Sequence, residues 1–120
     1  MKIAFTTSGD SLDAPLDERF GRAPRFIVYD TEEGTFETID NRRSVEAAQG
    51  AGIQAAQTIA RAGVQALVTG HCGPKAFRVL SEAGVAVYNT GAATVSEALE
   101  RFRAGALQPA SSADVEGHWT

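Results

Sequence analysis

The chain has one cysteine and one tryptophan in 120 residues. A single cysteine allows no internal disulfide, which excludes the cross-linked frameworks of small secreted domains. No apolar run approaches the ~20 residues a helix needs to cross a membrane, and Met1-Lys2 leads directly into a strand-like segment, so neither leader nor anchor is expected. Positive charge is also scarce: 11 Lys and Arg stand against 15 Asp and Glu, for a formal charge of −4 and a pI near 5.1. The nearest thing to a basic cluster is Arg19, Arg22 and Arg25, spread over a loop, with Arg42-Arg43 elsewhere. A nucleic-acid face normally declares itself as a concentrated basic patch, so none is expected. These absences predict a cytoplasmic domain with no nucleic-acid and no membrane partner.

What is present is ordinary globular material, 43% hydrophobic and 22% charged, enough for one core and too short for two domains. KIAFT (2–6) alternates apolar residues at period two and reads as a first strand. A long loop from Thr7 to Pro24 follows, and long loops in compact domains are commonly functional. FIVYD (26–30) and TFETID (35–40) flank Thr31-Glu32-Glu33-Gly34, a hairpin signal. A helix is expected from Ala47 or Gly50 to Ala62, with Ile53, Ala56, Ile59 and Ala60 on one face and Gly63 closing it. Val64 to Thr69 reads as a fourth strand, Pro74 to Ala83 as a second helix, and Val85 to Tyr88 as a fifth strand. Thr94 and Glu97 form a capping box at the start of a third helix, which ends near Gly105. Residues 1–106 are thus expected to form one domain, and the Ala/Ser-rich 107–120 a mobile tail.

Right-handed crossovers place the fourth strand beside the first and the fifth outside it. The hairpin extends the other side, predicting an α/β fold with a mixed five-stranded sheet of order 3-2-1-4-5, strand 2 antiparallel. In such a sheet the switch point lies between strands 1 and 4, where ligands gather at the strands' carboxyl ends. Two segments open there. One is the turn Gly70-His71-Cys72-Gly73, which holds the only cysteine and one of two histidines. The other is the loop Arg19-Phe20-Gly21-Arg22, whose arginines bracket a Phe-Gly and suit an anion through charge-assisted hydrogen bonds. The start of the first helix, Gly50-Ala51-Gly52-Ile53-Gln54-Ala55, matches G-x-G-x-x-A. It does not directly follow a strand, so close packing of small residues explains it better than a dinucleotide.

Taken together, KIAF, Arg19-Phe20-Gly21-Arg22-Ala23 with Phe26, Gly50-Ala51-Gly52-Ile53, Gly70 with Gly73-Pro74-Lys75-Ala76-Phe77, Gly84-Val85 and Thr94-Val95-Ser96-Glu97-Ala98-Leu99 resemble the dinitrogenase iron–molybdenum cofactor biosynthesis family. Its members include the small cofactor carriers of nitrogenase assembly, a domain of the cofactor-maturation radical enzyme, and many stand-alone proteins. The resemblance implies a ribonuclease-H-like three-layer fold. It also implies non-catalytic binding or carrying of an iron–sulfur or molybdenum–iron–sulfur cluster, or its precursor, among metallocofactor-assembly partners. Nitrogenase-associated members often carry histidine before the Phe-Gly, where this chain has Arg19, so a role tied to that histidine does not transfer. Stand-alone members commonly have arginine there.

A cluster carrier needs soft or borderline ligands, together with cations and backbone donors around an anionic thiometallate. His71, Cys72 and, if the tail folds back, His118 are the candidate metal ligands. Arg19, Phe20, Gly21, Arg22 and Gly73 complete the expected anion-holding cleft. Three such side chains cannot close a four-ligand structural zinc site. A two-metal nuclease needs carboxylates on the central strands, and KIAFT and ALVT have none. Adjacent residues on a tight turn do not readily pair as base and nucleophile, so thiol catalysis by His71 and Cys72 is not expected. The alternative is an interaction or regulatory module without a bound metal.

Overall fold

A computed structural model describes residues 1–42 and 50–110. Five strands, β1 (Lys2–Thr7), β2 (Arg25–Asp30), β3 (Thr35–Asp40), β4 (Ala66–Thr69) and β5 (Ala86–Asn89), form one sheet of order β3-β2-β1-β4-β5. Strand β2 runs antiparallel to both β1 and β3, while β4 is parallel to β1 and to β5. The order and the orientation of β2 are those expected. Gly34 takes φ +70° in the turn between β2 and β3, as the hairpin requires.

Among the described residues there are three α-helices: α1 (Ala51–Arg61), α2 (Pro74–Glu82) and α3 (Val95–Arg103). Helix starts and stops follow local chemistry. Gly50 enters α1 at φ +76°, Pro74 occupies the first turn of α2, and Thr94 Oγ1 accepts the Glu97 N–H at 3.1 Å to cap α3. Any helical start at Ala47 lies outside the described residues.

The sheet separates two cores. On one face Ala4, Val28, Leu67 and Val87 pack with Ala55, Ala56 and Ile59 of α1 and Ala76 and Leu80 of α2. On the other, Ile3, Phe5, Ile27 and Val68 pack with Val95, Ala98 and Leu99 of α3. This is a three-layer α/β arrangement. The inward stripe of α1 is Ala51, Gly52, Ala55, Ala56 and Ile59, whereas Ile53 stays half-buried at the rim. Small residues here let α1 lie close to the sheet and to α2.

Of the segment 107–120, residues 107–110 are described, and they lie along the outer edge of β5. Pro109 bridges Tyr88 in antiparallel sense and the Ala110 N–H donates to the Val87 carbonyl at 2.7 Å. The chain at Ala110 therefore heads toward the amino end of β5. His118 and Trp119 lie outside the described residues.

Candidate functional site

The loop after β1 first folds back on its own strand. Thr7 and Leu16 form an antiparallel bridge, the Asp17 N–H donates to the Thr6 carbonyl at 2.8 Å, and Thr6 Oγ1 donates to the Asp17 carbonyl at 2.8 Å. Thr6 Oγ1 also stands 2.9 Å from Thr69 Oγ1, tying the ends of β1 and β4 through two buried hydroxyls. The loop then crosses to β4. The His71 N–H donates to the Glu18 carbonyl at 2.6 Å and the Phe20 N–H donates to the His71 carbonyl at 3.1 Å. Arg19 and His71 thereby form a parallel bridge beyond the last residue of β4. The two segments expected to face each other across the switch point are joined as neighbouring backbone strands.

Two glycines make this docking possible. A Cβ on Gly70 would lie 2.5 Å from the Glu18 carbonyl oxygen, and one on Gly21 would lie 2.9 Å from the Gly52 nitrogen. The loop thus rests on β4 at one end and on the start of α1 at the other. Phe20–Arg22 forms a single 3-10 turn against α1, and the Phe20 ring stacks on Phe26 with centroids 5.7 Å apart. In the G-x-G-x-x-A stretch Gly52 serves close packing beneath Gly21, whereas Gly50 has open space around it among the described residues and serves the helix start through its positive φ.

The helix starts at this edge are not equivalent. At α3 the loop takes the leading amides: the Val95 N–H donates to the Ala14 carbonyl and the Ser96 N–H to the Leu12 carbonyl, while Glu97 within the helix accepts the Ala93 N–H through its Oε2. Neither Gly50 nor Gly73 caps its helix with a side chain, and neither α1 nor α2 has an acidic residue in its first turn. Their leading amides keep a partial positive charge toward this edge.

A groove runs alongside. One depression of about 320 Å³ is lined by Glu18, Gly70, His71, Asn89, Thr90 and Gly91. A second of about 210 Å³ shares Glu18, Gly70, Thr90 and Gly91 with it and continues over Leu16, Ala92 and Ala93. The groove lies between the β1 loop and the β5–α3 connection, across the carboxyl ends of β4 and β5. Asn89 Nδ2 donates to the Gly70 carbonyl at 3.1 Å, which fixes the floor.

The expected site residues fall into two groups. Arg19 is exposed, while His71 and Arg22 are half-buried, so all three reach the surface at this edge. Phe20, Gly21, Cys72 and Gly73 are buried. Cys72 is 1% exposed within the α1–α2 core, with its Sγ 3.7 Å from the Gly73 carbonyl oxygen. Only His71 of the seven lines the groove. Among the described residues no group of three or more His, Cys, Asp or Glu side chains is placed to hold one metal ion.

A model of the family described as dinitrogenase iron-molybdenum cofactor matches residues 1–105. The chain belongs to that family. It is 30% identical over 113 residues to an uncharacterised protein of Methanocaldococcus jannaschii, covering 90% of each chain. Among solved structures it is similar to the apo form of the orange protein from Desulfovibrio gigas, at 41% identity and a TM-score of 0.91, covering 95% of this chain and 96% of the other. It is also similar to a Thermotoga protein described as NifB-like and assigned to the DUF35 family, at 35% identity and a TM-score of 0.83, covering 97% and 98%. This family is of the cofactor-assembly or carrier type. No helix among the described residues is long and apolar enough to cross a membrane.

Sequence reasoning did not single out Glu18, Asn89 or Thr90. The rule that ligands gather at strand carboxyl ends applies to β5 as much as to β4. Asn89-Thr90-Gly91 was therefore a signal available in the sequence.

Proposed function

We propose that this protein binds and carries, without catalysis, an anionic iron–sulfur or molybdenum–sulfur cluster or a precursor of one during metallocofactor assembly. The observation that carries this reading is the Arg19–His71 bridge. It puts a side chain of borderline softness beside an arginine, at an edge where α1 and α2 begin on glycines that supply no side-chain cap. A thiometallate is a soft anion, so the complement it needs is a nitrogen or sulfur ligand within a positively polarised rim. In this reading His71 ligates the metal, and Arg19 and Arg22 hold the cargo's outer sulfides. Cys72 ligates only by turning its thiol out of the core, and otherwise packs beneath the turn. His118 joins only if 111–120 returns to this edge. The relatives support the reading: one is described as NifB-like, and another is named for a colour and was solved in an apo form.

Anaerobic reconstitution with iron and sulfide, or with a molybdenum–sulfur species, tests it when followed by desalting, metal analysis and visible absorption. A bound chromophore should be retained and should weaken in His71→Ala and in Arg19→Gln. Raised salt should release it, because exposed guanidinium contacts are screened. Unchanged metal content and spectra in both variants would remove this edge from consideration as the cargo site.

A further inference from the structure

Thr90 is bonded in an unusual way for a half-buried turn residue. Its Oγ1 accepts from Arg101 Nη1 at 3.1 Å and from the Ala92 N–H at 3.3 Å. A hydroxyl has two acceptor lone pairs and one proton, so both lone pairs are taken and only donation remains. No acceptor for that proton is present among the described residues. Arg101 is itself held by Glu97 Oε1 at 2.7 Å, so the guanidinium that polarises the hydroxyl has a fixed position. The hydroxyl is thus set as a donor at the groove where Thr90 forms part of both depressions.

Gly91, the next residue, adds an independent indication. A Cβ there would meet nothing within 4 Å among the described residues, and its φ is not positive. Neither turn geometry nor a neighbour among the described residues therefore demands glycine at this position. Glycine leaves the peptide open to close approach from outside, and the Gly91 N–H has no acceptor among the described residues. Two donors, Thr90 O–H and Gly91 N–H, belong to one wall, and His71 lines the same depression.

We infer that the groove across the carboxyl ends of β4 and β5 is a binding subsite for a small acceptor-rich anion, an oxo- or thio-anion, received by the Thr90 hydroxyl and the Gly91 amide. The inference deepens the proposed carrier function, on which it rests for the choice of thio-anion, by assigning a second wall to the cargo. The volume of about 320 Å³ is at the small end for ligand pockets, which suits such an anion. Glu18 on the opposite lip is exposed and acidic, and it sets the selectivity: it opposes an anion held by charge alone and leaves directed hydrogen bonds to select the ligand.

The full chain is titrated with tetrathiomolybdate, molybdate and inorganic phosphate, read by visible absorption for the first and by calorimetry for all three. Thr90→Val should weaken binding about tenfold or more, the scale of one hydrogen bond to a charged acceptor, while Thr90→Ser restores it. Gly91→Ala should weaken binding with an unchanged melting curve, since the added methyl meets nothing within 4 Å among the described residues. Glu18→Gln should tighten it. Preference for tetrathiomolybdate identifies a sulfur cargo, and preference for molybdate or phosphate an oxyanion. No binding of any of the three, or equal binding by wild type, Thr90→Val and Gly91→Ala, overturns the subsite. So does a groove that takes Zn²⁺ instead and loses it in Glu18→Gln. The carrier reading has its own test: cluster retention that depends on His71 but not on Thr90 or Gly91 would leave it standing while removing the subsite.

Discussion

Gly70 lies directly beneath the backbone of Glu18, so that a Cβ on Gly70 would stand 2.5 Å from the Glu18 carbonyl oxygen and 2.8 Å from its Cα. The neighbouring atoms are main chain and cannot rotate away. On this contact depends the seating of the whole Arg19–Arg22 loop against β4.

Gly70→Ala should therefore separate the loop from the turn. The substitution forces the Glu18 backbone to move and lengthens the hydrogen bonds that flank the Arg19–His71 bridge. An overpacked backbone contact costs about 1–3 kcal/mol, and each kcal/mol lowers the melting temperature of a domain this size by roughly 4 °C. Thermal melts together with amide exchange at His71 and Phe20 check it. A variant that melts like wild type, with both amides still protected, would show that the approach is not needed.

Gly21→Ala probes the other anchor of the same loop. Its Cβ would press on the Gly52 nitrogen at 2.9 Å and the Gly52 Cα at 3.0 Å, at the first turn of α1. Strain here should appear as a loss of about 1–2 kcal/mol. It should also displace Phe20 from its stack on Phe26, visible as a changed Phe20 ring environment by nuclear magnetic resonance. If the ring signals hold while stability falls, the loop and α1 yield elsewhere.

The elements were legible in the sequence because their signals are local. Ile3 and Phe5 alternate, Gly34 makes a turn, Pro74 follows Gly73, and Thr94 precedes Glu97 by three residues. From these the strand order follows by handedness alone. The loop from Ser8 to Pro24 was legible as long and polar, with Arg19–Arg22 opening at the same switch point as the His71 turn, but its shape was not, since that comes from partners far along the chain: Glu18 on His71, Ala14 on Val95, Gly21 on Gly52. The same limit applied to Cys72. Whether a residue at a strand-to-helix turn points into the core or to the rim depends on what packs there, and Phe20 and α1 arrive from distant sequence. Even the capping box was only half readable. Thr94 accepts the Glu97 N–H as expected, but the Glu97 carboxylate accepts from the Ala93 N–H and holds Arg101.

Thr94→Ala should uncap α3 at a cost of about 1 kcal/mol. The loop carbonyls of Leu12 and Ala14 still receive the Ser96 and Val95 amides, so the helix should remain and only its start loosen. Faster exchange confined to Glu97 and Ala98 is the expected result. A loss of helical circular dichroism across the chain would mean that the Thr94 hydroxyl supports more than this one turn.

Acid should weaken one contact at the end of β3 in a defined window. Asp40 is bound by the Arg42 side chain, with Nη2 at 2.7 Å and Nε at 3.0 Å, and by the Arg42 N–H at 2.8 Å. The guanidinium first, and the amide after it, hold the Asp40 carboxyl at about 2, below the ordinary carboxylate range. A carboxylate depressed in the folded state stabilises fully above its unfolded value near 3.9, and that contribution disappears as pH falls through about 2. Both side chains are more than half exposed, so solvent screens the pair and the effect is small. Urea midpoints of wild type and Arg42→Gln should differ slightly at pH 6 and converge as pH drops from about 4 toward 2, with the Asp40 carboxyl titrating higher in the variant. A midpoint difference that stays constant down to pH 2 would assign the Arg42 effect to packing of its aliphatic stem and not to the charge it places on Asp40.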